Sequence, residues 1–490
     1  MDVATTNKNS TRWVFLGVIS LGLFMIGVDN SILYTALPTL KTSLHTTSLE
    51  ALWIINMYPL VLSGLLLGTG TLGDKIGHRR MFEIGLSIFG VAALVAAFAP
   101  NPEILIAARA LFGIGAATMM PATLSLLRTT FTDVQERNTA IGIWGATATL
   151  GAASGPVIGG LLLEHFWWGS VFLINLPVVI IAVIGTTTIA PPNAPNPERQ
   201  WDFLSSFWAM VAMMGLVMII KEATHSPIDP GIIGGAATAL IGGGWLFARR
   251  QRFLTKPLLV LTVFQNKVFT AGVLGAGFAM FALSGTELLT TQRFQLGEGF
   301  TPLAAGLVTA AGAVAAIPTS VLGGIMLSRI GFRPLISGGF AIIAAGAALC
   351  MWAIGTDSLG LFIGSLIAAG AGAGLVMSVS STAIIGSAHP RYSGMASAME
   401  EVSYEFGTLL SVAVLGSLMQ LFYSWFAPAQ VADSFESGLA NPQLFDAAYA
   451  AFNSGFTLVM LVVAAVSATI AGITAWLLHN NPKETDYAHE

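Results

Sequence analysis

The chain has 490 residues, of which 54% are hydrophobic and only 9% charged, against about 25% charged in soluble domains. A net charge of −4, from 21 basic and 25 acidic residues without a long run of either sign, gives no footprint for nucleic acid. The single cysteine, Cys350, excludes an internal disulfide and any Cys-based metal site, leaving a polytopic membrane protein as the class.

A membrane-crossing helix needs about 20 mostly apolar residues. Such stretches fall at 13–35, 51–72, 81–100, 104–127, 139–163, 171–190, 203–221, 230–248, 269–291, 303–327, 335–355, 359–385, 395–425 and 451–478, giving fourteen spans. They are too long for barrel strands and lack period-2 alternation. With the N-terminus inside, seventeen of the 21 basic residues lie on the cytoplasmic side and three outside, an asymmetry that places both termini in the cytoplasm.

Span 1 carries Asp29 and span 4 carries Arg109, at similar depth, so a bundle that packs these spans together pairs them. An ionisable residue at the bilayer centre costs at least about 2.5–3.5 kcal/mol, which makes each one a candidate for function. Span 5 contains Gly151, Gly155 and Gly159 at four-residue spacing, with Pro156 and Gly160 beside them. Glycines on one face permit close backbone approach and proline bends a helix, so a kinked sliding interface is expected. Glu287 stands toward the outer end of span 9. Span 13 begins with Glu400, Glu401 and Glu405; the last two share a helix face, while Glu400 points about 100° away. Carboxylates in apolar surroundings can exchange protons near neutral pH, and the same groups hold a cation. A solvated rim is the competing reading for this cluster.

The loop after span 2, Gly70-Thr-Leu-Gly-Asp74-Lys75-Ile-Gly77-His-Arg79, matches the loop after span 10, Gly324-Ile-Met-Leu-Ser328-Arg329-Ile-Gly331-Phe-Arg333, at an offset of 254. This internal repeat predicts two six-helix bundles, at residues 1–190 and 258–478, separated by two inserted spans over 191–257 and followed by a cytoplasmic tail at 479–490. Repeated bundles are the architecture of alternating-access carriers. The sequence has no GxxxxGK[ST] loop, and its seven histidines lack metal-ligand spacing, so no nucleotide motor, metal or catalytic triad is expected.

Taken together, the loop from Gly70 to Arg80, the Asp29 segment from Val28 to Pro38, Leu105-xxx-Arg109-xx-Phe112-Gly113, Gly151-xxx-Gly155-Pro156-xx-Gly159-Gly160, Trp167 to Pro177 and Glu400-Glu401-Val-Ser-Tyr-Glu405 resemble one family. That family is the fourteen-span drug:H⁺ antiporters of the major facilitator superfamily, and most closely the QacA/SmvA/LfrA type of quaternary-ammonium exporter. The resemblance implies an all-α major facilitator fold of fourteen transmembrane helices in a bacterial cytoplasmic membrane. It implies a non-enzymatic, cofactor-free carrier, driven by the proton-motive force, that exports lipophilic cationic drugs, dyes and quaternary ammonium compounds. Export of an endogenous metabolite, lipid or peptide is the alternative, with a non-transporting receptor or scaffold behind it. Expected partners are small lipophilic cations, protons and membrane lipids, with the protein a monomer and no nucleic acid bound.

On this reading Asp29, Arg109, Glu400, Glu401 and Glu405 couple protons. Asp29, Asn56, Tyr58, Glu287, Glu401 and Glu405 contact substrate, Asn56 standing where relatives often have an acid. Gly70, Asp74, Lys75, Gly77 and Arg79 form the gating loop, and Gly155, Pro156, Gly159 and Gly160 the moving interface.

Overall fold

A computed structural model describes residues 3–196, 201–223, 228–254, 257–387 and 393–479, and among them there is no strand. Fourteen helices among the described residues are long and apolar enough to cross a membrane: Thr11–Leu44, Ser48–Leu66, His78–Ala97, Pro102–Thr130, Gln135–His165, Ser170–Ile189, Phe203–Ala223, Pro230–Phe253, Lys267–Gly297, Pro302–Ile330, Phe332–Gly355, Leu359–Gly386, Met395–Phe426 and Phe445–Leu477. They are spans 1 to 14 below, and each overlaps one apolar stretch of the sequence. The tail residues 480–490 lie outside the described residues.

Several helices outrun their apolar windows. Span 1 continues past Pro38 to Leu44, and the helix of span 2 to Ile76. Polar residues extend these ladders because they can bond their own helix: the Thr42 hydroxyl donates to the carbonyls of Pro38 at 3.2 Å and Thr39 at 2.9 Å. A hydropathy window ends where side chains turn polar, whereas the helix ends where its backbone bonds stop.

Two compact units divide the chain, Met1–Met210 and Val211–Glu490, the boundary falling within span 7. In the first unit, span 1 packs on 5 and 6, span 4 on 2 and 3, and span 3 on 6. The second unit uses the corresponding pairs: span 9 on 13 and 14, span 12 on 10 and 11, and span 11 on 14. The 254-residue offset holds down to single caps. Thr47 and Thr301 both cap their helices by accepting a backbone N–H, from Glu50 and Ala304 at 3.2 Å each. Both helices end on a glycine in the left-handed region, Gly77 at φ 92° and Gly331 at φ 85°. Their N–H groups donate to the carbonyls of Gly73 at 2.9 Å and Leu327 at 2.8 Å, so the two chain reversals are built alike.

Interspan crossings explain the glycines. A Cβ on Gly155 would collide with the Ser31 hydroxyl of span 1 and lie 3.0 Å from the Ile32 nitrogen and the Val28 carbonyl. Gly151 meets the backbone of Phe24, and Gly159 the side chain of Ile32. Pro156 and Gly160, between and beside them, are buried in the same helix. In the second unit Gly407 of span 13 faces the Gly277 carbonyl of span 9, the equivalent helix pair.

Candidate functional site

Arg109 and Asp29 are buried to 1% and 0% exposure, and an Arg109 terminal nitrogen donates to Asp29 Oδ2 at 2.5 Å. The pairing that the sequence suggests for spans 1 and 4 is therefore present. Four further groups fix it. Arg109 Nε donates to the Ile54 carbonyl of span 2 at 3.1 Å, Asn175 Nδ2 of span 6 donates to Asp29 Oδ1 at 3.5 Å, and the guanidinium carbon lies 4.8 Å from the Tyr58 ring centre and 5.6 Å from that of Phe112. Four spans thus meet at one charge pair. Cation–π contact and a carbonyl acceptor hold the guanidinium on the faces that the carboxylate leaves open.

Tyr58 is buried against Arg109, so its ring serves the guanidinium directly. Asn56, two residues earlier on the same helix, is fully buried, and neither polar atom of its amide has a protein hydrogen-bond partner among the described residues. Burying an unpaired amide costs about 1–3 kcal/mol. Asn175 carries no signal in the sequence that marks it as a site residue. Its position at the start of the helix Asn175–Ile189 gains meaning only once span 6 is laid against span 1.

The acids of span 13 are not one solvated face. Glu405 is buried at 6% exposure, and Glu400 and Glu401 are half-buried. The Tyr404 hydroxyl donates to Glu400 Oε1 at 3.0 Å and lies 3.4 Å from the Met377 carbonyl, while Ser381 of span 12 also hydrogen-bonds Glu400. Glu401 lies within electrostatic range of both other acids. Glu287 belongs to span 9, where it is half-buried on the same helical stripe as Met280 and Leu283. It belongs to the second unit, whereas the Asp29 pair belongs to the first.

Arg293, beyond Glu287 on the same span, is another buried charge. It is only 4% exposed, in a turn of π-helix at Arg293–Gly297. It pairs with Glu298 at 2.9 Å, donates to Asn453 Oδ1 at 3.0 Å and Tyr449 at 3.2 Å, and stacks on Phe294 and Phe362. Spans 9, 12 and 14 are stapled there, through contacts between residues up to 160 positions apart that no local motif announces.

In the loop between spans 2 and 3, His78 Nε2 lies 3.1 Å from Asp74 Oδ1, and Arg79 Nε donates to Glu83 at 3.0 Å. Two other Arg79 nitrogens donate to the carbonyls of Ala190 at 3.3 Å and Thr187 at 3.0 Å, at the C-terminal end of span 6, where helix carbonyls lack intrahelical partners. Gly77 is buried and Lys75 exposed, while Gly70 makes only ordinary contact with Pro121.

The profile of the Major Facilitator Superfamily matches residues 19–399. The multidrug efflux pump LfrA of Mycolicibacterium smegmatis is 34% identical over 96% of this chain and 97% of its own length. The methyl viologen resistance protein SmvA of Salmonella typhimurium is 35% identical over 84% of this chain and 83% of its own. The crystal structure of a bacterial homologue of the human lysosomal transporter Spinster superposes with a TM-score of 0.68 over 96% of this chain and 97% of that one, at 16% identity, a likeness of fold alone. With fourteen spans, paired six-helix packing and a profile match across most of its length, the chain belongs to the Major Facilitator Superfamily and is a transporter, not an enzyme.

Proposed function

We propose that this protein is a proton-coupled antiporter of a bacterial inner membrane, with both termini cytoplasmic, that exports lipophilic cations, quaternary ammonium compounds among them. The observation that carries the reading is the Asp29–Arg109 pair, sequestered from solvent and held by four spans in a chain similar to efflux pumps. A charge pair this deeply buried is a poor way to gain stability, because desolvating the ions offsets most of their attraction. It is a good way to build a switch. A proton arriving at Asp29 cancels the charge that holds Arg109 and leaves the guanidinium to the Ile54 carbonyl and the Tyr58 and Phe112 rings. Loss of that proton restores the pair. One or more protons entering the cell are exchanged for a cation leaving it, and the membrane potential adds about 2.3 kcal/mol per net charge per 100 mV.

Cation recognition falls to carboxyl groups on buried and half-buried faces. In the second unit, Glu287, with Met280 and Leu283 beside it, and Glu400, Glu401 and Glu405 supply carboxyl groups next to apolar surface; in the first, the Asn56 amide supplies a polar contact of its own. Carboxyl groups beside apolar surface bind delocalised cations without narrow shape selection. Support for the substrate class comes from the Salmonella relative, named for resistance to methyl viologen, whose two positive charges reside on quaternary nitrogens. The protein needs no cofactor on this scheme, and acts as a monomer on small cations and protons within the lipid.

Transport by purified protein in sealed vesicles tests the reading. An imposed pH gradient should drive uptake of ethidium into inverted vesicles and release protons in return. Equal ethidium movement with the gradient and potential collapsed overturns the coupling.

A further inference from the structure

The segment after span 6 folds back over the reversal between spans 2 and 3. Asn193 Nδ2 donates to the Ile76 carbonyl at 2.8 Å, and the backbone N–H of Arg80 donates to Asn193 Oδ1 at 3.2 Å. One amide therefore bridges the last turn of one helix and the first turn of the next. The Asn196 N–H donates to the Asp74 carbonyl at 2.9 Å. Gly77 forms the notch that admits this amide: a Cβ there would fall on the Asn193 side chain, and at φ 92° the backbone already favours glycine. The contact continues into span 7, since a Cβ on Gly68 would meet the Ser206 hydroxyl at 2.8 Å and the Trp201 indole nitrogen at 3.4 Å, and one on Gly64 would meet Met210.

Two comparisons argue against an incidental contact. At the repeat-related Gly331, also left-handed, the described residues place no atom within 4 Å of a Cβ. Among the described residues the same reversal thus stands there without a plug, and its helix end still forms the same Gly331 N–H to Leu327 carbonyl bond. The segment itself reads Pro191-Pro192-Asn193-Ala194-Pro195-Asn196-Pro197. Prolines at this density stiffen an extended chain, so little conformational freedom is lost when it docks.

We propose that residues 190–196 and 201–210 form a strap by which the inserted spans position the gating loop, with Asn193 as the positioning residue that holds its corner. The inserted pair of helices then acts on the gate through its leading segment, which sets how readily the corner from Asp74 to Arg80 rearranges during each transport cycle. This proposal rests on reading that loop as the gate of a cation exporter.

The experiment compares wild type, Asn193→Ala and Asn193→Asp as full-length protein. Hydrogen exchange of residues 70–80 reports the strap without reference to substrate. Ethidium transport into phosphatidylethanolamine/phosphatidylglycerol vesicles under an imposed pH gradient reports the gate. Asn193→Ala should speed exchange at residues 74–80 and lower the maximal transport rate by about fivefold or more, with KM changed less than about twofold. Asn193→Asp keeps the acceptor for the Arg80 N–H but loses the donor to the Ile76 carbonyl, and should fall between the two; it also serves if the alanine variant does not fold. Unchanged exchange in both variants overturns the strap. Faster exchange with an unaltered maximal rate, or a loss confined to KM, overturns the positioning role. Wild-type vesicles that move no cation overturn the transport reading instead, while the exchange comparison still decides whether the strap holds the loop.

Discussion

Asp29 and Arg109 illustrate how a buried pair differs from the sum of its members. Removing one partner leaves an uncompensated charge inside the bundle, a loss of about 3–5 kcal/mol, whereas removing both leaves none. Arg109→Ala alone should therefore lower thermal stability more than the double change of Asp29→Ala with Arg109→Ala, measured by thermal unfolding in detergent. Asp29→Asn should abolish proton-coupled efflux, read as ethidium transport under a pH gradient; normal coupled efflux would remove Asp29 from the mechanism. Glu287→Gln should lower resistance to dications more than to monocations, because it removes an ionisable carboxyl group from a half-buried apolar stripe; equal losses would place Glu287 outside the binding face. At this scale the sequence revealed which residues were expensive to bury. It did not reveal what surrounds them: Asn175, Ile54 and Tyr58 reach the pair from other spans, and the partners of Arg293 are Asn453, 160 positions onward, and Tyr449 on the same distant helix.

At the scale of helices, the glycines of span 5 are a matter of clearance. Gly155→Ala puts a methyl group against the Ser31 hydroxyl and span 1 backbone, which cannot move aside as a side chain would. Overpacking of this kind costs about 1–3 kcal/mol, and transport should fall with stability. Gly17→Ala, where a Cβ meets nothing within 4 Å, should be neutral or stabilising by about 0.5–1 kcal/mol through helix propensity. Thermal unfolding of the two variants side by side checks the argument, and equal behaviour would show that the span 1–span 5 crossing is not tightly packed. Spacing alone made these glycines conspicuous. Which neighbour each one admits became evident only with span 1 in place, because the four-residue stripe fits any close helix partner.

For the whole molecule, duplication organises what single motifs cannot. The offset of 254 relates the paired loops, the Thr47 and Thr301 caps, and the Gly77 and Gly331 reversals. Each unit then repeats the same helix pairings. Carriers built this way draw their driving force from outside the protein, so efflux should scale with the proton-motive force. Dye accumulation in inverted vesicles should stop on adding a protonophore and resume when a gradient is restored; persistence under the protonophore would contradict coupling.

The sequence by itself determined the solvent, the number of spans, the repeat and the few charges that had to be stranded inside helices. These follow from hydropathy and spacing, which are local and survive without knowledge of contacts. Tertiary structure decided the rest: that Arg109 binds groups from several spans at once, that Asn56 is buried with its amide unsatisfied, that Arg293 staples the second unit, and that Asn193 plugs the notch at Gly77. The physical reason is sequence distance. A hydrogen bond between residues more than a hundred positions apart leaves no periodicity in the chain, because its geometry exists only after the helices have packed.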